Sequence, residues 1–247
     1  RTNNDYTINS WIHANVDLNL LYSNATEPHA SIGELMERAP IYNAYWSDGR
    51  FADGKDGDNP IAQRELSGSM KKQNYRVGGK LQLDLTPIEG LTLTAIVAPQ
   101  YSFYKGKDHK KRYEVYRITG DPIPGTFYSS TSLSESRNDN HSLTKQFYAN
   151  YKLQLKRHSI GLMAGYEDYS YKWEEEGASR TNYSLVNFPY LNLGPEDYQF
   201  NSGKAGHNAY RSFFGRIMYS WADRYILQAN IRSDGSSRFA DGHRWGT

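Results

Sequence analysis

Seven stretches of this chain alternate apolar with polar residues, and the connectors between them alternate long with short, a combination that few folds permit. The period-2 pattern of a strand with one apolar face runs over Trp11–Ser23, Lys72–Thr86, Leu91–Tyr104, Leu143–Leu155, Ser159–Lys172, Tyr210–Trp221 and Arg224–Ser233. Pro87–Gly90, Lys156–His158 and Ala222–Asp223 are tight links, whereas Asn24–Lys71, Lys105–Ser142 and Trp173–Ala209 are long. Each strand is long enough for a tilted bilayer crossing, which takes ~9–11 residues. A soluble sandwich has no reason to sort its loops by end. A membrane-spanning barrel does, with short periplasmic turns and long extracellular loops. The expected fold is therefore all-β: about seven antiparallel strands forming a partial section of a large transmembrane β-barrel.

The two faces of the strands differ. Ile12, Ala14, Val16, Leu18, Leu20 and Tyr22 share a face opposite His13, Asn15, Asp17 and Asn19. Leu81, Leu83 and Leu85, then Leu91, Leu93, Ala95 and Val97, oppose Lys80, Gln82, Asp84, Thr92 and Thr94. In a barrel the apolar face meets lipid; in a sandwich it would be the core. Tyr22, Tyr101, Phe103, Phe147, Tyr166, Phe213 and Tyr219 fall mostly toward strand ends on the apolar face, where an interfacial aromatic belt belongs, although aromatics are also ordinary strand formers. The mean hydropathy of −0.80 and the lack of any apolar run of ~18 residues exclude a helical membrane span. They do not exclude a barrel, in which every second residue faces the lumen. The absence of cysteine excludes a disulfide scaffold and thiolate zinc sites. A net charge of +2 is too small for the basic stripe of a nucleic-acid binder, so no nucleic-acid partner is expected.

An open sheet in hydrocarbon would leave unpaired backbone groups at both edges, each costing several kcal/mol. Residues 1–247 are accordingly read as one piece of a barrel domain, with a plug and the remaining strands outside this chain. In the first long loop, Ser47–Asn59 gathers Asp48, Asp53, Asp56 and Asp58. Oxygen-rich loops can hold calcium, but the EF-hand order is missing. Asp-Gly pairs are what turns use, so a series of turns is expected and no metal. Tyr42, Tyr45 and Trp46, with Arg50 close by, form an aromatic group suited to stacking on a sugar ring or lining a substrate route; packing of the loop on the wall is the competing reading. Lys105–Arg112 offers clustered cations to lipopolysaccharide phosphates or, alternatively, a solvated loop face. Glu174–Glu176 reads as a charged loop edge. No nucleophile elbow, His-Glu-x-x-His or P-loop is present, so no enzyme activity is expected.

The most specific wording is Asp234-Gly235-Ser236-Ser237-Arg238-Phe239, followed by Arg244-Trp245-Gly246. It resembles the SusC/RagA-type TonB-dependent transporters, large outer-membrane barrels of Gram-negative bacteria. Further matches follow in chain order: Ala30–Pro40, Asn59-Pro60-Ile61-Ala62, Pro87–Leu91, and Phe214-Gly215-Arg216 with Tyr219 and Arg224-Tyr225. The resemblance implies location in the outer membrane and TonB-dependent import of bulky nutrients, glycan oligosaccharides or peptides. It implies a SusD-like surface lipoprotein as partner, outer-membrane lipid and lipopolysaccharide around the wall, and a TonB complex acting through the plug region. It implies no cofactor. Within the signature, read as structural, Asp234 is expected to bond backbone amides after Gly235 turns the chain, and Arg238 to bridge to lumen carboxylates. Arg216 and Arg232 are expected to pair with acidic residues on neighbouring strands or on the plug. Two alternatives are a soluble aromatic-rich carbohydrate-binding β module, which predicts balanced loops and a dry core, and a barrel enzyme, which predicts a compact Ser/His/Asp set at the rim.

Overall fold

The computed structural model describes residues 1–247, the side chain of Leu35 excepted. Its elements are β1 (Thr2–Asn9), β2 (Ile12–Pro28), α1 (Ile32–Met36), α2 (Pro60–Leu66), β3 (Gly68–Ile88), β4 (Leu91–Lys110), β5 (Glu114–Tyr116), β6 (Pro122–Pro124), β7 (Ser132–Leu155), β8 (His158–Thr181), β9 (Gln199–Trp221), β10 (Tyr225–Ser236) and β11 (Trp245–Gly246). One antiparallel sheet runs β1-β2-β3-β4-β7-β8-β9-β10-β11, each strand beside its predecessor, and β5–β6 form a separate hairpin in the second long loop. All seven expected strands are present. β1 is an addition: Thr2, Asn4 and Tyr6 pair with Leu18, Val16 and Ala14 of β2, but this strand is mostly polar and shows no apolar stripe. Its turn at Ser10-Trp11 is tight and keeps the connectors in step.

At the tight turns the strands end within about two residues of expectation, but on the long-loop side they overrun it. β7 begins at Ser132, β8 runs to Thr181 and β9 begins at Gln199. The alternation is a signature of lipid on one face; above the membrane both faces are wet, so pairing continues without it. Ser134–Asp139 pairs residue for residue with Glu174–Ser179. This corrects two readings: Glu174–Glu176 is strand, not loop edge, and Lys105–Lys110 is the top of β4.

Register carries the apolar face across the sheet. Ile12, Leu85, Leu93, Ala149, Ala164, Gly215 and Ile231 form one continuous cross-strand row. Every residue expected in the aromatic belt lies on this face. Tyr22, Tyr75 and Phe103 are cross-strand neighbours, with ring centroids 4.7 and 6.2 Å apart. Phe147, Tyr166 and Phe213 make a second row on β7–β9, and Trp221 stacks on Tyr225 at 5.6 Å near the tight turns. The two upper rows sit at different registers, since Phe103 faces Asp139 rather than Phe147. The wall is a single layer. Its outer leucines stay uncovered, Leu20 and Leu227 by 73% and 70%, while the buried apolar residues Ala52, Ala62, Tyr113, Val115, Leu133 and Tyr183 cluster in the loops and at the strand tops.

Candidate functional site

The face opposite the apolar one is polar, aromatic and cross-linked. On β8 it carries Glu167, Tyr169, Tyr171, Trp173 and Glu175, every second residue. Tyr169 stacks on Tyr210 of β9 at 4.5 Å and 20°, and the Tyr171 hydroxyl donates to Asn140 Oδ1 at 2.8 Å. Trp173 lies over Gly206, where an added Cβ would come within 2.5 Å of the indole, so only glycine admits the ring in this pose. Lys204 sits 5.5 Å from the indole centroid and pairs with Glu175 at 2.8 Å, which its hydrogen bond to Lys204 holds below the usual carboxylate range. Toward the loops follows a groove of about 460 Å³, floored by Ser134, Ser136, Gly177, Ser179 and Ser202 and walled by Tyr104 and Phe200. Hydroxyls on the floor, rings on the walls and one Lys–Glu pair suit an extended polar molecule with flat or apolar segments. Sequence reasoning misses this set because the stripe Tyr169-x-Tyr171-x-Trp173 falls where the expected strand ends.

Nearer the tight turns the same face is held by charge-assisted bonds. Lys80 pairs with Asp17 at 3.0 Å, Thr94 and Gln82 donate to Asp84, and Gln146 donates to Glu167 at 2.6 Å. Arg232 has acidic partners, but not on the adjacent strand as expected: the near one, at 2.8 Å, is Asp234 of its own strand, and Glu167 of β8, two strands away, lies at 3.8 Å. Arg216 has none, making no ion pair among the described residues; its cross-strand neighbours are Met163 and Asn230.

The signature segment is strand where a turn was expected. β10 continues through Asp234 and Gly235 to Ser236, and Trp245-Gly246 folds back to pair with them. Asp234 bonds no backbone amide; it accepts from the Ser212 hydroxyl and from Arg232. Gly235 faces outward beneath Trp245, and a Cβ there would approach the indole to 2.7 Å. Trp245 in turn stacks on Phe213 at 5.8 Å. Ser237 ties the segment to β9, its amide donating to the Ala209 carbonyl and its hydroxyl accepting from the Ala209 amide, both at 2.9 Å. Arg238 reaches Asn208, not a carboxylate. Phe239 is exposed, and its carbonyl accepts from Arg244.

The first long loop folds onto the β5–β6 hairpin. Ala62, Val115 and Tyr113 form a small core with Phe51, Leu66 and Ile123 against it; burial pushes the Tyr113 phenol up to about 12. Trp46 Nε1 donates to the Tyr116 carbonyl. Arg50 chelates Asp48, donates to the Gly120 carbonyl and lies over the Tyr116 ring; its hydrogen bond holds the Asp48 carboxyl below the ordinary range. Tyr45 packs on Phe51 and points its hydroxyl at Glu65. Tyr42 lines a separate cleft of about 440 Å³ with Arg38, Asn43 and Lys55. The four residues grouped by sequence are thus divided between loop frame and cleft. The Asp-Gly pairs form turns, with positive φ at Gly49, Gly54, Asp56 and Gly57, while Asp58 pairs with Arg38 at 2.8 Å.

No family model matches the chain. Over 111 residues, 43% of this chain and 10% of the relative, it is 31% identical to TonB-dependent receptor SusC of Bacteroides thetaiotaomicron. Two TonB-dependent receptors of Formosa agariphila are 25% and 27% identical over 83% and 84% of this chain, and 20% of their own length. The structure of the RagAB peptide transporter superposes with a TM-score of 0.80 at 19% identity, over 99% of this chain and 28% of that one. The RagAB peptide importer in its open-open state superposes equally, at 20% identity. The chain therefore spans a fifth or less of the curated relatives it matches. A one-layer antiparallel wall, apolar outside and charged inside, with loops sorted by end, is a section of a transmembrane β-barrel. The chain thus resembles TonB-dependent receptors of the SusC type in sequence, and its fold matches a stretch of the RagAB transporter. These relatives are receptors and transporters, not enzymes, and the enzyme alternative falls with that.

Proposed function

We propose that the full-length protein is an active importer in the outer membrane of a Gram-negative bacterium, taking up bulky nutrients, glycan oligosaccharides or peptides, in a TonB-dependent manner with a SusD-like surface lipoprotein. Residues 1–247 supply part of the wall and three outward loops, while the plug and the remaining strands lie elsewhere in the protein. The carrying observation is the two-sided wall: a lipid-type face with aromatic rows at both levels, backed by an inner face with a ladder of rings and a hydroxyl-floored groove. Tyr169, Tyr171 and Trp173 line the substrate route, and the Glu175–Lys204 pair offers one contact of each sign. From the loop, Tyr42 and Tyr45 keep exposed ring surface and serve as outer contacts; Trp46 and Arg50 hold the frame that presents them. The likeness to the RagAB peptide importer supports the peptide class, and the ring ladder suits either class.

Deleting the gene and supplying single oligosaccharide or peptide mixtures as the sole nutrient tests the reading. Loss of growth on one class identifies the substrate, and Tyr171→Ala with Trp173→Ala in the intact protein should slow that same uptake. Unchanged growth and uptake on every source, from a protein whose migration is indifferent to heating, would refute an importing barrel.

A further inference from the structure

The third long loop, residues 182–198, folds back on the strand tips, and the tip of β4 holds its middle through basic side chains. Alternation sets Lys107 and His109 on the side of Phe103, and Lys111 continues the series just past the end of β4. Lys111 Nζ donates to Asn187 Oδ1 at 2.7 Å, and the Lys107 ammonium stands 5.2 Å from the centre of the Tyr190 ring. His109, between them, bonds the Val186 backbone. The three grips are thus an amide oxygen, a ring and a carbonyl, none of them charged. The ends of the loop are fixed separately: the Tyr183 amide donates to the Thr131 carbonyl, and Arg180 donates to the Gly194 carbonyl and to Gln199. Between these anchors Leu185, Phe188 and Tyr190 stay largely exposed, so the middle of the loop hangs on the three basic residues.

A proton at this tip is met unequally on its two sides. On the inner side His29 Nε2 donates to the His109 carbonyl and lies 3.2 Å from Asp108 Oδ1, with Lys110 at 3.7 Å from the other oxygen of that carboxylate and Tyr128 edge-on to the imidazole. A charge on His29 therefore faces an acid. His109 faces Lys107 and Lys111 along its own chain, with His29 behind it; Glu135 of β7 is taken up by Lys107 at 3.0 Å, Arg180 of β8 stands beyond Leu133 in the same cross-strand row, and β3 sets the uncharged Ser69 opposite. A charge on His109 therefore faces cations. Burial first, then Lys111, with Lys107 and His29 after it, hold the His109 imidazole below its ordinary 6.5; the bond to Val186 acts the other way and does not offset them. A ring freed with the loop returns toward the ordinary value, so the closed loop keeps its full advantage above about pH 6.5 and loses it as pH falls below that.

We propose that the middle of the third loop is an acid-released strap: neutral His109 lets Lys107 and Lys111 hold it shut, and a proton on His109 completes a row of three cations that lifts residues 185–193 from the strand tips. Histidine is the side chain whose charge changes in this range of pH. Arg180 keeps Gly194 and Gln199 in place throughout, so the lumen groove beside Phe200 survives the release. Acid then changes the surface the loop presents outward without dismantling the groove. The switch stands on the loop and the strand tips alone and does not depend on what is imported.

Hydrogen exchange of peptides spanning residues 185–193, in the full-length protein in detergent at about pH 7.5 and about pH 5, tests it once the intrinsic pH dependence of exchange is divided out. Two like-charge contacts of the strength found at protein surfaces should raise opening at the lower pH by about fivefold in the wild type. His109→Gln, which keeps a donor for Val186 but cannot take the charge, should stay at the closed level at both pH values, and His109→Lys should be open at both. His29→Gln should respond as the wild type does. A wild type that opens equally at the two pH values overturns the strap, as does a His109→Gln variant that still opens in acid or a His109→Lys variant that is closed at the higher pH. Loss of the response in His29→Gln, with His109→Gln still responding, would place the switch on the inner side of the tip and overturn the assignment to His109.

Discussion

Asn59 fixes how the first long loop is built, and changing it should open that loop by a calculable amount. The residue is 2% exposed. Its Oδ1 accepts from the amides of Ile61 and Ala62 at 3.0 and 3.1 Å, capping α2. Its Nδ2 donates to the carbonyls of Ala44 and Ala52, both at 2.8 Å, and so ties the helix to the segment carrying Tyr45 and Trp46. Asn59→Ala removes a cap worth about 1 kcal/mol and leaves the Ala52 carbonyl without a donor at about 1 kcal/mol, while the Ala44 carbonyl keeps the Ala52 amide. The sum, ~2 kcal/mol, corresponds to roughly thirtyfold more frequent local opening. Asn59→Asp separates the two halves of the role: it keeps the cap acceptor but sets a carboxylate oxygen against two carbonyls, so it should open the loop at least as far as alanine does. Hydrogen exchange of peptides spanning residues 59–66, measured in the full-length protein, reads this directly. A rise below about threefold in Asn59→Ala would show that the four bonds do not hold the loop, and wild-type protection in Asn59→Asp would show that capping alone accounts for the residue.

The two faces of β9 make opposite predictions for adjacent positions. Ile217→Lys, between Leu162 and Ala229 on the outer face, should cost about 2–4 kcal/mol in urea titrations of vesicle-folded protein, while Met218→Lys, on the lumen face, should cost under about 1; equal costs would overturn the face assignment. Gly235→Ala should expel Trp245 from its place over Phe213, shifting indole fluorescence to the red, and should add nothing when Trp245 is already alanine. Tyr113 and Tyr128 should titrate last among the tyrosines in absorbance at 295 nm, since burial first, then the nearby carboxylates of Asp58 and Asp108 respectively, push each up to about 12 from an ordinary 10.0. Their phenols ionise more easily unfolded than folded, so the stability they lend the loop cap is whole below about pH 10 and falls as pH rises from 10 toward 12. Tyr113→Phe should remove one late step; complete titration of all tyrosines by pH 11 would contradict the packing.

What is legible in the sequence follows from where lipid acts. Between the aromatic rows one face is apolar because it must be, so Ile12 to Tyr22 and Leu143 to Leu155 betray strands at once, and the tight turns appear where that pattern breaks. Above the rows nothing forces alternation, and Ser132–Ser142 reads as loop although it pairs with β8 throughout. The same blindness hides the ring ladder, because Tyr171 and Trp173 face the lumen at the level where the outward residues have turned polar. Asn59-Pro60-Ile61-Ala62 and Asp234–Phe239 are legible as motifs but not as physics. One is a buried four-bond junction with Ala62 beneath Val115. The other is a strand end whose glycine makes room for a tryptophan that no larger residue would admit; no spacing rule announces that Trp245 returns over Gly235.

The burial pattern also decides between lipid and water as the medium for this wall. A soluble β module must cover its apolar face with a second layer, because each exposed Leu or Ile forgoes roughly 1.5–3 kcal/mol of burial. Here Leu18, Leu20, Leu81, Ile217, Leu227 and Ile231 stand uncovered on one side of a single sheet. The opposite side cannot serve as the missing interior, since it carries Lys80, Asp17, Asp84, Glu167 and Arg232 joined in polar bonds. The closed apolar packing that does exist, around Ala62 and Val115, lies out in the loops and covers none of these rows. Water on both sides would therefore leave the wall without a driving force, whereas hydrocarbon against the leucine rows and a wet lumen against the charges satisfy both faces at once. The loop core then plays a separate part, as a fold of its own that keeps the outward loops ordered where the membrane no longer supports the strands.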